Sequence, residues 1–136
     1  MGLSHTKVFH FEPFRIEAGK VKEFAKALGI DKVFTDNTAV PPTFFTVIDY
    51  WNDHDFYQML EEFKIPTNNV LHGEQSYEYM VDVFIGDTIS AKATLLKTLH
   101  KNNKIFYFLE TIYTNQVNIP VAIGTATLIE LEVDSA

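Results

Sequence analysis

A chain of 136 residues has room for one hydrophobic core, so a single domain over residues 1–136 is expected. Apolar residues form 46% of it and Phe alone occurs 12 times, enough volume to fold unaided; with no Cys, disulfides, thiolate chemistry and Cys-based zinc sites are excluded. The net charge of -7 repels phosphate backbones and the 11 Lys and Arg residues are scattered, which argues against a nucleic-acid partner. The opening MGLSHTKVFHFEPF holds no apolar run of signal-peptide length. No stretch approaches the roughly 20 apolar residues that span a bilayer, so no membrane partner and a cytoplasmic location are expected.

In chain order, residues 18–28 place Ala18, Val21, Phe24, Ala25 and Leu28 on one helical face, with Lys20, Lys22, Glu23 and Lys26 opposite. Gly29 follows where helices commonly end in a left-handed residue. After the polar connection IDKVFTDNTAV, Pro41 keeps the chain extended and Pro42 suits the first turn of a second helix. That helix, through Trp51, carries Phe44, Phe45, Val47, Ile48 and Tyr50, and its apolar surface on most sides predicts burial. A third helix over residues 53–63 spaces Phe56, Met59, Leu60 and Phe63 on one face, with Asp53 and Asp55 near its positive end. Ile65-Pro66 stops it.

Near residue 77 the apolar period changes from helical to alternating, and strands are expected at 77–85, 88–99, 104–114 and 121–132. Gly86-Asp87 and Lys101-Asn102-Asn103 are turn-forming breaks, which predict hairpins and a meander or near-meander. On the last strand Val121, Ile123, Thr125, Thr127, Ile129 and Leu131 share one face, expected to close over the helix from 42 to 51. The fold class is therefore α+β, a long antiparallel sheet wrapped around a central helix. There is no internal repeat, low-complexity tract or linker.

The segments GKVKEFAKALG, TDNTAVPPTFF and LHGEQSYEYMVDVFIGDTI together resemble the N-terminal type of MaoC-like dehydratase domain, over residues 14–131. That resemblance implies a hotdog fold whose sheets join edge to edge in a homodimer, or in a heterodimer with a His-bearing MaoC-like subunit. It also implies reversible hydration of a trans-2-enoyl thioester carried on coenzyme A or acyl carrier protein, with no metal or redox cofactor. Such chemistry needs a base to activate water and N–H donors for the thioester oxygen. Active members carry the acid-base pair as Asp and His in a D-x-N-P-x-H segment before the central helix. Here the segment reads GIDKVFTDNTA; aligned on Asp36 and Ala39, it puts Phe34 in place of the His and leaves Asp31 near the place of the Asp only across a short deletion. The N-P pair is missing as well. Phe34 can move no proton, so the resemblance implies a subunit without the catalytic His that shapes the acyl site beside a partner.

The catalytic candidates are accordingly Asp31 and His72, the latter inside Leu71-His72-Gly73-Glu74-Gln75, and the substrate-binding candidates are Pro42, Thr43 and Gly73. Each has an ordinary alternative. Asp31 suits a loop after a helix, His72 a hydrogen-bonded strand residue, and Thr43 a capping hydroxyl. The aromatic residues Phe44, Phe45, Tyr50 and Trp51 suit a core as well as the wall of an acyl tunnel. His5, His10, His54 and His100 lack metal-ligand spacing. Three other readings stay open: a hotdog thioesterase using Asp49 or Glu74, a non-enzymatic acyl-thioester binding module, and a cone-shaped α+β fold that strand order would distinguish.

Overall fold

The computed structural model describes residues 7–27, 29, 39, 53–66 and 70–131, with residues 53–56 and 72 described by their backbone alone. Helix α1 runs Ala18–Ala27 and fully buries Val21 and Ala25 on the expected face. Lys26 lies in its last turn, where a cation complements the helix dipole. Gly29 takes φ 77 and donates its N–H to the Lys26 carbonyl at 3.0 Å, closing the helix as the glycine predicts. Helix α2 runs Asp53–Glu62. It ends in a Schellman motif: Ile65 N–H reaches the Leu60 carbonyl at 2.8 Å, Lys64 N–H reaches Glu61 at 3.0 Å, and Lys64 takes φ 58. Ile65 is buried beside Leu60, so the Ile-Pro stop is a packed cap as well as a chain break. No helix among the described residues is long and apolar enough to cross a membrane.

The strands are β1 (Lys7–His10), β2 (Phe14–Arg15), β3 (Val70–Tyr79), β4 (Thr88–Lys101), β5 (Lys104–Thr114) and β6 (Pro120–Leu131). All pairings are antiparallel, in the order β1-β4-β5-β6-β3, with β2 on β4. Asn102 and Asn103 join β4 to β5 with φ 51 and 62, the left-handed pair that a two-residue hairpin turn requires.

Four features depart from the expectations drawn from sequence. First, β1 and β2 lie in the N-terminal segment, for which the residue pattern predicts no strand; they are 4 and 2 residues long with Pro13 between them, too short for a period to register. Second, the strand expected at 77–85 is shifted to Val70–Tyr79. Met80 and Val81 both donate to the Val121 carbonyl, which ends the ladder, while Val83 and Ile85 sink into the core from an irregular segment. Their alternation imitates a strand, but among the described residues it has no partner strand; Phe84 forms an isolated bridge to Ala39 and exchanges hydrogen bonds with Asp87. Third, β4–β5–β6 is a meander, but β3 lies beyond β6 rather than beside β4.

Fourth, the core face of β6 is the opposite of the one expected. Ala122, Gly124 and Leu128 are buried, whereas Ile123 and Ile129 are half-buried and Thr125 is exposed; of the expected face only Val121 is buried. Volume explains the reversal. A Cβ on Gly124 would stand 3.2 Å from the Tyr77 ring and 3.3 Å from the Tyr113 ring, so the small residues of β6 make room for tyrosines on its neighbours.

Both helices pack on this inner face. Val21 of α1 joins Phe14, Ile16, Val83, Ile89, Tyr113 and Ala122 at one end of the sheet. Met59 and Leu60 of α2, with Phe63 and Ile65, cover Phe9, Ala93, Tyr107, Leu109 and Leu128 at the other. The helix expected from 42 to 51 lies outside the described residues.

Candidate functional site

The LHGEQ segment is the start of β3, which hydrogen-bonds to β6 and forms one edge of the sheet. Its register is interrupted between His72 and Glu74: His72 stands opposite Leu128 and Glu74 opposite Thr127, leaving Gly73 as the extra residue of a β-bulge. The bulge resets the alternation of the strand. Leu71 and Glu74 therefore both belong to the outer face, whereas Gln75 and Tyr77 belong to the inner side, where Gln75 Nε2 donates to the Tyr77 hydroxyl at 2.7 Å. The glycine is there for space. A Cβ at position 73 would meet Ile129 Cδ1 at 2.7 Å and Cγ1 at 3.2 Å. Gly73→Ala must displace the Ile129 side chain, and the expected cost is about 1 kcal/mol, read as a lower urea midpoint with an unchanged slope.

Of the candidate residues, only Gly73 and the backbone of His72 are described; Asp31, Pro42 and Thr43 lie outside the described residues, as do Phe34 and Asp49. Ala39, an anchor of the motif alignment, is placed by its bridge to Phe84 in the irregular segment that follows β3. Glu74 is exposed on the outer face, away from the core that the helices cover.

The inner face also holds a polar pair that the sequence reading missed. Tyr107 of β5 is buried next to Leu128, and its hydroxyl donates to Glu130 Oε1 at 2.6 Å. Burial first, then the hydrogen bond to Glu130 and the carboxylate charge, push the phenol well above its usual value. Nothing in local pattern marks the pair, because each residue looks like one more alternating strand position; only the β5–β6 register joins them. An unfolded Tyr ionises near pH ~10. The raised native value therefore adds stability that is complete below that pH and is lost as pH rises toward the folded value. Tyr107→Phe removes this dependence: above about pH 10 the parent loses stability more steeply than the variant in paired urea titrations. At neutral pH the substitution costs ~1–2 kcal/mol, because Glu130 loses its donor.

Gly73 thus sits on the strand at the end of the sheet, with the apolar inner face of the sheet behind it. No curated protein matches the sequence. Solved structures do match the fold. One chain of the C-terminally truncated HadBC (3R-hydroxyacyl-ACP dehydratase) complex from Mycobacterium tuberculosis has a TM-score of 0.72 at 18% identity, over 91% of this chain and 95% of that one. A MaoC-like dehydratase from Rhodospirillum rubrum gives 0.66 at 14% identity, over 96% and 94% of the two chains. The (R)-hydratase from A. caviae involved in PHA biosynthesis gives 0.59 at 18% identity, over 95% and 97%. The fold is thus the expected α+β hotdog and not the cone-shaped alternative. The sequence itself matches the family described as FAS1-like, dehydratase domain region, across residues 4–123, and the chain belongs to this MaoC-like hotdog dehydratase family.

Proposed function

We propose that this chain is the subunit of an acyl-thioester dehydratase, or enoyl hydratase, that lacks the catalytic His and shapes the acyl site beside a His-bearing MaoC-like partner. The observation that carries this reading is Phe34 at the position where the family pattern has its His, in a chain that otherwise belongs to the family across residues 4–123. A phenyl ring can neither take a proton from water nor give one to the α-carbon, so the acid-base step needs groups from elsewhere. Two further observations support it. The LHGEQ strand β3 is a sheet edge with one hydrogen-bonding side unused among the described residues, which suits edge pairing with a second hotdog chain. One structural relative is itself a two-component dehydratase, the HadBC complex.

In such an assembly this chain supplies apolar wall from its inner face, and the helix expected to begin at Pro42 and Thr43 presents N–H donors to the thioester oxygen. The substrate is a 2-enoyl or 3-hydroxyacyl group on coenzyme A or acyl carrier protein, and the reaction takes no metal or redox cofactor. Homodimerisation through the same edge is the alternative assembly. The thioesterase reading keeps Asp49 as its carboxylate, since Glu74 points to the outer face. Mixing the chain with a MaoC-like chain that carries an intact D-x-N-P-x-H segment tests the proposal. A mixed complex that hydrates crotonyl-CoA supports it; absence of both complex and hydration refutes it, and release of free thiol instead supports the thioesterase.

A further inference from the structure

The outer face of the sheet, away from the helices, carries a charge pattern with a specific geometry. One rung crosses it as Glu74 on β3, Thr127 on β6, Phe108 on β5 and Lys97 on β4. Another, further along the strands, reads Glu78, Ile123, Ile112 and Lys92 in the same strand order. Acidic residues thus line the β3 side and lysines the β4 side of both rungs; Phe108, Ile112 and Ile123 lie between them together with Thr127 and the polar rung of Thr125 and Glu110, and Lys97 Nζ stands 4.7 Å from the Phe108 ring centroid. Glu74, Glu78, Lys92 and Lys97 are all exposed, and none makes an ion pair among the described residues. Glu74 and Glu78 share this face by regular alternation, and Lys92 and Lys97, five residues apart, share it because the bulge beside Leu96 in β4 falls between them.

We infer that this face packs against the same face of a second copy of this chain, about a two-fold axis parallel to the strands between β5 and β6. Rotation about that axis reverses the strand order without changing the level along the strands. It lays β3 of one copy over β4 of the other, so Glu78 faces Lys92 and Glu74 faces Lys97, each twice. In the middle β5 of one copy lies over β6 of the other, so Ile112 meets Ile123, Phe108 meets Thr127 and Glu110 meets the hydroxyl of Thr125. The charges also select this axis: the in-plane axis perpendicular to the strands lays β3 over β3 and opposes Glu to Glu and Lys to Lys, which repels. Shape agrees with charge. A hollow of about 240 Å³ runs across this face between Glu74 and Ser76 at one end and Leu96 and Phe108 at the other, and the same rotation lays Leu96 of one copy, 53% exposed, over the Glu74 end of the other's hollow. Aligned packing of two sheets, about 10 Å apart and crossed by about 30°, is an ordinary arrangement that leaves the edge of β3 free. The inference therefore stands apart from the proposed enzymatic role.

Sedimentation of the full chain over a concentration series tests it with charge reversal. One variant carries Glu74→Lys and Glu78→Lys; the other carries Lys92→Glu and Lys97→Glu. Each makes its own face like-charged, and each is expected to sediment at half the parent's mass, while an equimolar mixture regains the parent's mass because opposite faces now match. Unchanged mass in either variant, or a mixture that stays dissociated, overturns the inference. A second measurement covers loss of folding by the double variants. The chain has no Cys, so Glu78→Cys and Lys92→Cys chains can be mixed and treated with a short bismaleimide. Cross-links between unlike chains are expected, and cross-links as frequent between like chains overturn it.

Discussion

Tyr113→Ala is expected to remove about 3–5 kcal/mol from the unfolding free energy, a large share of what a domain of this size possesses. Tyr113 is 1% exposed and joins α1, the irregular segment with Val83 and Ile85, and the small-residue face of β6. Its loss leaves a cavity that three elements cannot close together, and urea unfolding followed by circular dichroism measures it. The same site yields a coupled prediction. Gly124→Ala alone must push a Cβ to within 3.3 Å of the Tyr113 ring and 3.2 Å of the Tyr77 ring. The expected cost is ~1–2 kcal/mol. In the Tyr113→Ala background the Tyr77 contact remains but the Tyr113 one is gone and the methyl can yield toward the vacated space, so part of that cost is relieved, a coupling of about 0.5–1 kcal/mol in a double-mutant cycle. Strict additivity would mean that the small face of β6 is not shaped by the tyrosines.

The second large effect belongs to catalysis. In a reconstituted mixed complex, replacing the partner's motif His with Ala is expected to slow crotonyl-CoA hydration by roughly 10²–10⁴-fold, the usual share of a positioned acid-base group. Asp31→Asn in this chain should change the rate by less than about tenfold, since without an adjacent His it has no partner with which to place the water. Thr43→Ala and Pro42 substitutions are expected to raise KM rather than erase turnover, because oxygen contacts present in both substrate and transition state chiefly set binding. A collapse of kcat on Asp31→Asn, measured at saturating substrate, would move the chemistry into this chain.

The sequence foretold this architecture unevenly, and the unevenness has physical causes. Helices α1 and α2 and strand β5 are legible because each carries a strong period of its own with an explicit stop: Gly29, Ile65-Pro66 and the Asn102-Asn103 turn. What failed depended on other parts of the chain. Val83 and Ile85 alternate like a strand but fill a core from an irregular loop, and hydropathy cannot tell the two apart. The inner face of β6 looks weak by hydropathy because Ala122 and Gly124 are small, yet smallness is what Tyr77 and Tyr113 require. The position of β3 beyond β6, and the meeting of Tyr107 with Glu130, are long-range pairings that no local window contains. The candidate site was legible chiefly through PPTF and LHGEQ. For the second of these the structure supplies a mechanical reason, a bulge at Gly73 whose extra side-chain atom would strike Ile129.

Hydration of crotonyl-CoA by the purified chain alone tests the central claim most directly. With Phe34 in place of the His, the expected rate is indistinguishable from that of buffer, and it stays there for the Asp31→Asn and His72→Ala variants. Turnover by the chain alone that disappears when Asp31 or His72 is replaced would contradict the account.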